Sequence, residues 1–319
     1  MGKLSLPIIS CFLSLIVSCT ALAFAQTPSD PLAQARSLMA AGKLADSETA
    51  VRTYLGTYPA SPDAHFLLGY ILFREQKAKD SLAEFTAGAK FRRPHPDELK
   101  IVASDYVILS DYADADKWFS AIVVETPEDA DAWYLLGRTK FSESNFVDAI
   151  SNFEHALTLR SKYVEAENNI GLAWRELNHL DKAQAAFQTA IDWQGSAPAD
   201  AQPFLNLGAM FADQHEFDKA LPFLNKAVTL SPDNPRIHEV LGQVYAAQQD
   251  LPKAQSELQQ AIALSPNTSA LHFKLGQIYR KEGLLDRAQK EFDMCTRLSG
   301  TTSSTKTPNP LSVNPPEAH

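Results

Sequence analysis

Cysteine is scarce: the 319-residue chain has 3, and two of them, Cys11 and Cys19, lie inside one apolar run. That excludes a disulfide framework. An excess of positive charge is absent too, with 29 basic against 38 acidic residues and a net charge of -9, so most of the surface repels phosphate backbones. Nucleic acid is excluded as a partner on that ground. Outside residues 4–25 there is no long apolar run, which excludes a polytopic membrane protein. Catalytic signatures are missing as well: no phosphate loop, no Gly-rich dinucleotide fingerprint, no paired-cysteine zinc site and no His-Glu-x-x-His. The expectation is therefore a non-enzyme with no cofactor and no metal.

What is present begins with that apolar run. Lys3 precedes it and Ala23-Phe24-Ala25 closes it with small residues, the layout of a secretory signal cleaved after Ala25. Removal of residues 1–25 takes away one Lys, leaving 28 basic and 38 acidic residues, a charge of -10. An alternative is a lipoprotein signal, because Ile16-Val17-Ser18-Cys19 resembles the bacterial lipobox and would put a lipid on Cys19. The sequence thus points to an exported, periplasmic or secreted protein, or else to an outer-membrane lipoprotein. Membrane contact is expected only if Cys19 is lipidated or the signal stays uncleaved.

Residues 26–300 repeat. From Gly69, steps of 34 reach Ala103, Gly137 and Gly171, and after one step of 37 come Gly208, Gly242 and Gly276. A second column in the same phase runs Ser47, Ser81, Ala115, Ala149, Ala183, Ala220, Ala254 and Ala288. Large residues stand between them at Leu38, Leu72, Tyr106, Lys140, Trp174, Phe211, Tyr245 and Tyr279. The small columns mark where two helices come too close for bulk, and the large ones fill the adjoining gaps. Eight units result, starting near 28, 62, 96, 130, 164, 201, 235 and 269. In the fourth, helices are expected over residues 131–142 and 147–159, with a turn at Ser144-Asn145. Pro31 reads as a first-turn proline of the first helix. Pro222 falls inside a helix, where it should bend it slightly. The Ser/Thr/Pro-rich stretch 301–319 cannot bury a core and is expected to be disordered.

The pattern resembles the tetratricopeptide repeat, most fully in Trp133-x-x-Leu136-Gly137 with Ala149, Phe153 and Ala156. The resemblance implies an all-α solenoid of helix-turn-helix units forming a right-handed superhelix, since one unit cannot bury its own apolar face. It also implies that the first helix of each unit lines a concave groove that binds other proteins or extended peptides. Groove candidates are then Phe66, Tyr70 and Arg74 in the second unit, Tyr134 and Arg138 in the fourth, and Asn168, Asn169 and Arg175 in the fifth. Asn206, Gln243, Lys274 and Gln277 continue them. Aromatic residues and Arg are the types that anchor interfaces. Asn169 and Asn206 hold equivalent positions of adjacent units and resemble two rungs of the asparagine ladder of a repeat-bearing sugar transferase. Each amide can donate to a peptide carbonyl and accept from a peptide N–H. The carboxylate clamp of chaperone-binding repeats fits poorly, because Asn168, Leu172, Asn206, Arg236 and Val240 depart from it at three of five positions.

Other constellations have simpler readings. His65, His238 and His272 share one column with Trp133 and Phe204 and are expected to fill packing gaps rather than hold metal. The acidic run 111–116 lacks the Gly and closing Glu of a calcium loop, and Ala115 and Trp118 are placed in core columns, so it reads as a solvated helix start. Cys295 falls in a small core column and is expected to be buried. The function implied is a non-catalytic interaction scaffold or assembly factor of a cell envelope. Alternatives are a lipoprotein assisting pilus, secretion or envelope assembly, and a partner subunit for an enzyme on another chain. Self-association is allowed for.

Overall fold

A computed structural model describes residues 30–196 and 200–301. Among the described residues lie sixteen α-helices and no strand. Unit 1 pairs α1 (Ala33–Ala40) with α2 (Leu44–Thr57), and unit 2 pairs α3 (Pro62–Arg74) with α4 (Ala78–Ala89). Unit 3 has α5 (Pro96–Ile108) and α6 (Tyr112–Glu125), and unit 4 has α7 (Ala130–Ser142) and α8 (Phe146–Leu159). Units 5 and 6 follow with α9 (Val164–Glu176), α10 (Leu180–Trp193), α11 (Gln202–Asp213) and α12 (Phe217–Leu230). Units 7 and 8 are α13 (Pro235–Ala247), α14 (Leu251–Leu264), α15 (Ser269–Lys281) and α16 (Leu285–Thr301). The helices expected in the fourth unit agree with α7 and α8 to within one residue. Pro31 lies in a turn before α1 rather than in its first turn. The signal, the lipidation candidate Cys19 and the tail after Thr301 fall outside the described residues.

The repeat columns explain why each pair of helices closes. A Cβ added to Gly69, Gly137 or Gly171 would lie 2.8, 2.7 or 2.5 Å from the ring of Phe85, Phe153 or Phe187. Glycine is required there because an aromatic ring of the second helix rests on the backbone of the first. Ala115, Ala149, Ala183, Ala220 and Ala254 are fully buried beside them. In units 1 and 2 the same position is serine, and its hydroxyl ties the two helices: Ser47 Oγ donates to Ala35 O at 2.7 Å and Ser81 Oγ to Gly69 O at 2.9 Å.

All eight intra-unit turns share one device. Gly42, Gln76, Ser110, Ser144, Asn178, His215, Gln249 and Gly283 adopt positive φ. The next residue donates its N–H to the carbonyl five positions earlier, as Lys43 does to Leu38 and Leu284 to Tyr279. This is the Schellman closure of a helix. Glycine takes the left-handed conformation without steric cost, yet only the first and last turns have it.

The units stack in chain order, each second helix packing on the first helix of the next unit. First helices also touch each other across units, α3 with α5, α7 with α9, α9 with α11 and α11 with α13. That closer approach puts the first helices on the inner side of the curved stack. At the far end, Thr296 on α16 is exposed in the column that holds Val123, Leu157, Ile191, Val228 and Ile262 in the preceding units. Cys295 is half-buried rather than buried, because it occupies the face that other units cover with the following helix. Trp118 likewise departs from expectation and is 38% exposed.

The histidine column is built from latches. His238 Nε2–H donates to Pro232 O at 2.8 Å while Nδ1 shares a hydrogen bond with Glu257 Oε2 at 2.7 Å. His272 does the same with Pro266 O and Glu291, and His65 with Pro59 O and Glu84. Trp133 Nε1–H reaches Pro127 O at 2.9 Å in the same way. Each ring fastens the loop before a unit to that unit's own second helix, and no two belong to one site. No group of three His, Cys, Asp or Glu able to hold a metal occurs among the described residues.

Candidate functional site

The structure connects five of the predicted groove residues across three successive units. Tyr134 on α7 packs between Phe153 and Tyr163, with ring centroids at 5.7 and 4.9 Å. Its hydroxyl accepts a hydrogen bond from Asn169 Nδ2 on α9 at 3.1 Å. Asn168 Oδ1, beside it, accepts from Asn206 Nδ2 on α11 at 2.9 Å. Arg138 lies over the Tyr134 ring at 5.8 Å. Burial, first of all, raises the Tyr134 hydroxyl above its ordinary value, so the phenol keeps its proton at neutral pH.

This geometry corrects the ladder expectation. Asn169 and Asn206 are equivalent in register, but Asn206 bonds to Asn168, and Asn168 and Asn169 are only 6% and 4% exposed. Adjacent asparagines on α9 face opposite neighbours, one toward unit 4 and one toward unit 6. The amides are satisfied in part by the protein itself and stitch the units together. Asn168 Nδ2, Asn169 Oδ1 and Asn206 Oδ1 make no hydrogen bond among the described residues, and the Tyr134 phenol still has a proton to donate. Besides the second N–H of Asn169 and of Asn206, two donor groups and two acceptors remain.

Residues that the sequence did not single out complete the place. Tyr163 stands at the N-cap position of α9, where other units have Ser61, Asp129, Asn234 or Thr268. That break in a column of small polar caps was its signal. Its hydroxyl donates to Asp131 Oδ1 at 2.7 Å, and Arg160 pairs with Asp131 at 2.8 Å while covering the Tyr163 ring at 4.4 Å. Burial works to raise the Asp131 carboxyl, but Arg160 and Tyr163 outweigh it and hold it below the usual range. Asp200, one residue before the N-cap Ala201 of α11, accepts from Gln202 N at 2.8 Å. Burial pushes its carboxyl up, and Glu165 adds to the effect.

The remaining candidates lie elsewhere. Phe66 is not a groove residue: it is 3% exposed, with its ring where a Cβ on Gly88 would come within 2.6 Å, and Arg92 closes over it at 4.5 Å. The missing side chain at Gly88 draws it inward. Tyr70 and Arg74 stay half-buried on α3, Arg74 at 6.0 Å from the Tyr70 ring. Arg175 sits 3.6 Å from Glu176. Lys274 is held by Glu239, which also binds Arg236 at 2.7 Å. Gln243 is exposed and Gln277 half-buried on the next two first helices.

Comparison with known proteins agrees with this architecture. Tetratricopeptide repeat families match residues 32–96 and 168–235, 211–272, and 269–302. The chain belongs to the tetratricopeptide repeat proteins. Units 3 and 4 lie between the matched stretches, and there the helices themselves show the repeat. A tetratricopeptide repeat protein from Parabacteroides merdae superposes with a TM-score of 0.65 at 19% identity, covering 77% of this chain and 96% of that one. The anaphase-promoting complex assembly Cut9-Hcn1 gives 0.62 at 18% identity over 86% of this chain and 54% of that one. Likeness at that identity shows the fold alone. Among curated proteins, the O-mannosyl-transferase TMTC1 of Mus musculus is 27% identical over 154 residues, 47% of this chain and 16% of its own length. Its Homo sapiens counterpart is 24% identical over 179 residues, 54% of this chain and 20% of its own length. The tetratricopeptide chain described here thus spans a fifth or less of those relatives.

Proposed function

We propose that this tetratricopeptide repeat protein is a non-catalytic scaffold that binds extended segments of other polypeptides along its first helices, centred on units 4 to 6. The observation that carries the reading is the set of unused donors and acceptors on Tyr134, Asn168, Asn169 and Asn206, presented from three successive units beside the cation of Arg138. Such groups match the alternating N–H and C=O of a peptide backbone and read little of its side chains. Specificity then comes from the aromatic and charged flanks, with Tyr70 and Arg74 toward one end and Gln243 and Gln277 toward the other. Every described helix belongs to a repeat, which supports a role in assembly rather than catalysis. The N-terminal signal pattern supports export, to the periplasm or beyond, or lipidation at Cys19 for an outer-membrane lipoprotein. Intact mass after expression separates them: loss of residues 1–25 against an acylated Cys19. The partial likeness to O-mannosyl-transferases favours one second reading, a repeat unit that presents polypeptides to an enzyme carried elsewhere.

The test is a library of unstructured peptides displayed against the full chain. Captured peptides should vary in side chain, and Asn206→Ala should weaken all of them by similar factors of about three- to tenfold per lost bond. Unchanged binding by Asn206→Ala and by Tyr134→Phe together would sink the reading.

A further inference from the structure

One buried group has no part in the groove. Asp105, in the middle of α5, is fully buried, and neither carboxylate oxygen has a hydrogen-bond partner. Its column elsewhere holds Ile71, Thr139, Ala173, Met210, Val244 and Ile278. An acid stands where the stack has no charge in any other unit.

The surroundings of Asp105 decide which protonation state fits. α5 packs against α3, α4 and α6. From α4 the Ser81 hydroxyl acts on Asp105, but its single proton is already donated to Gly69 O on α3 at 2.9 Å. A hydroxyl so committed can accept but has nothing left to give. The neutral acid can therefore donate its O–H to Ser81 Oγ and extend the chain through Ser81 to Gly69, whereas the carboxylate faces an oxygen. Ionised neighbours do not compensate. On α3, α4 and the turn between them, Glu75 pairs with Lys77, Arg74 lies over Tyr70 and Glu84 holds His65. On α6, Asp114 pairs with Lys117 and Asp116 with Lys140. Burial pushes the Asp105 carboxyl up to about 7.

We propose that the junction between units 2 and 3 is a proton-operated joint, closed when Asp105 carries its proton and loosened when that proton leaves. The apolar contacts at this junction form a cluster of their own, Phe66, Phe73, Phe85, Ile101 and Val102, separate from the clusters inside units 1–2 and 3–4. Loosening can therefore be local. Because Tyr70 and Arg74 sit on unit 2 and Tyr134 on unit 4, the joint sets whether the two parts of the groove line up.

The sign follows from linkage. The closed state takes up the proton with a value near 7 and the open state near the ordinary carboxyl value of 3.8, so closure is strongest below that lower value and weakens as pH rises toward about 7. Amide hydrogen exchange of the full chain, corrected for the intrinsic base catalysis of exchange, reads the opening of α4 and α5. The opening constant should rise about tenfold per pH unit from pH 5 to 7 and level off above. Asp105→Asn should remove that rise. Asp105→Ile, the residue unit 2 has in this column, keeps the test open should the amide variant fold poorly, and should also exchange with no such rise. A wild-type opening constant that stays flat, a variant that rises as wild type does, or an equal rise in α13 and α14 would each overturn the local joint.

Discussion

The two halves of the stack are built to the same period but not with the same regularity. In units 5 to 8 the large column residue of the first helix is always aromatic, and a cation eight residues later lies over it: Lys182 on Trp174 at 3.9 Å, Lys219 on Phe211 at 5.5 Å, Lys253 on Tyr245 at 5.2 Å and Arg287 on Tyr279 at 5.8 Å. Units 1 to 4 have Leu38, Leu72, Tyr106 and Lys140 in that column, and Lys140 is held instead by Asp116 at 2.8 Å. The first half also contains the unpartnered Asp105 and the exchange of Gly88 for Phe66. A repeated contact tolerates no local exception cheaply, whereas a half assembled from individual solutions can house a buried acid. The amide stitch of Tyr134, Asn169, Asn168 and Asn206 lies where the two halves meet.

The strongest way to break this contrast is to give the regular half the irregular feature. Val244 is 1% exposed in the Asp105 column, and Val244→Asp should cost about 3–5 kcal/mol at pH 8 and distinctly less at pH 5. Urea unfolding followed by helicity at the two pH values reads it. An equal cost at both would mean that burial there does not disfavour the charge. The converse change should stabilise: Asp105→Ile at pH 8 should gain up to about 4 kcal/mol, the linkage worth of a carboxyl moved from 3.8 to about 7, and close to nothing from this source at pH 4.

The seam between the halves should respond next. Asn169→Ala removes the bond to Tyr134 and should destabilise by about 1–3 kcal/mol, because Asn169 is only 4% exposed. Asn206, half exposed, should cost less, about 0.5–1.5 kcal/mol for its bond to Asn168. Melting temperatures that fail to rank the two in this order would remove the stitch from the account. The smallest effects belong to the turns. Ser110→Gly in the first half and His215→Gly in the second should each gain under about 1 kcal/mol, since relief at positive φ is offset by the greater freedom of unfolded glycine. Equal gains would show that the turns, unlike the core columns, do not distinguish the halves.

The register of all eight units could be read from the sequence because the constraint is pairwise and repeated. A ring at Phe153 demands a glycine at Gly137, and six of the eight units pair a glycine with a large side chain there, with Ala35 and Ala103 in the other two. Exceptions were hidden for the same reason. Phe66 looked like a groove residue because its own column faces inward; its burial depends on Gly88, and nothing in either column alone says so. Equivalent positions suggested that Asn169 and Asn206 act as a pair, but the side chains of neighbouring asparagines diverge from one helix. Which rung meets which is set by rotamers rather than by spacing. Cys295 follows a buried column onto a helix that no later helix covers among the described residues, whereas Trp118 stands in a column that holds Glu84, Asn152, Glu257 and Glu291 elsewhere, each of them partly open.

Thr296 bears on how the molecule counts itself. A stack of identical interfaces has no inherent length: whatever lets unit 7 receive unit 8 would let unit 8 receive the first helix of another copy, and head-to-tail contacts of that kind generate open filaments. By setting a hydroxyl where Val123, Leu157, Ile191, Val228 and Ile262 offer hydrocarbon, α16 makes its outer face a poorer receiver than the joints before it. The outward residues of α1, Gln34, Arg36 and Ser37, give the opposite end the same wet surface. A change as small as Thr296→Ile would give this face the apolar residue that every joint from unit 3 onward presents to its successor.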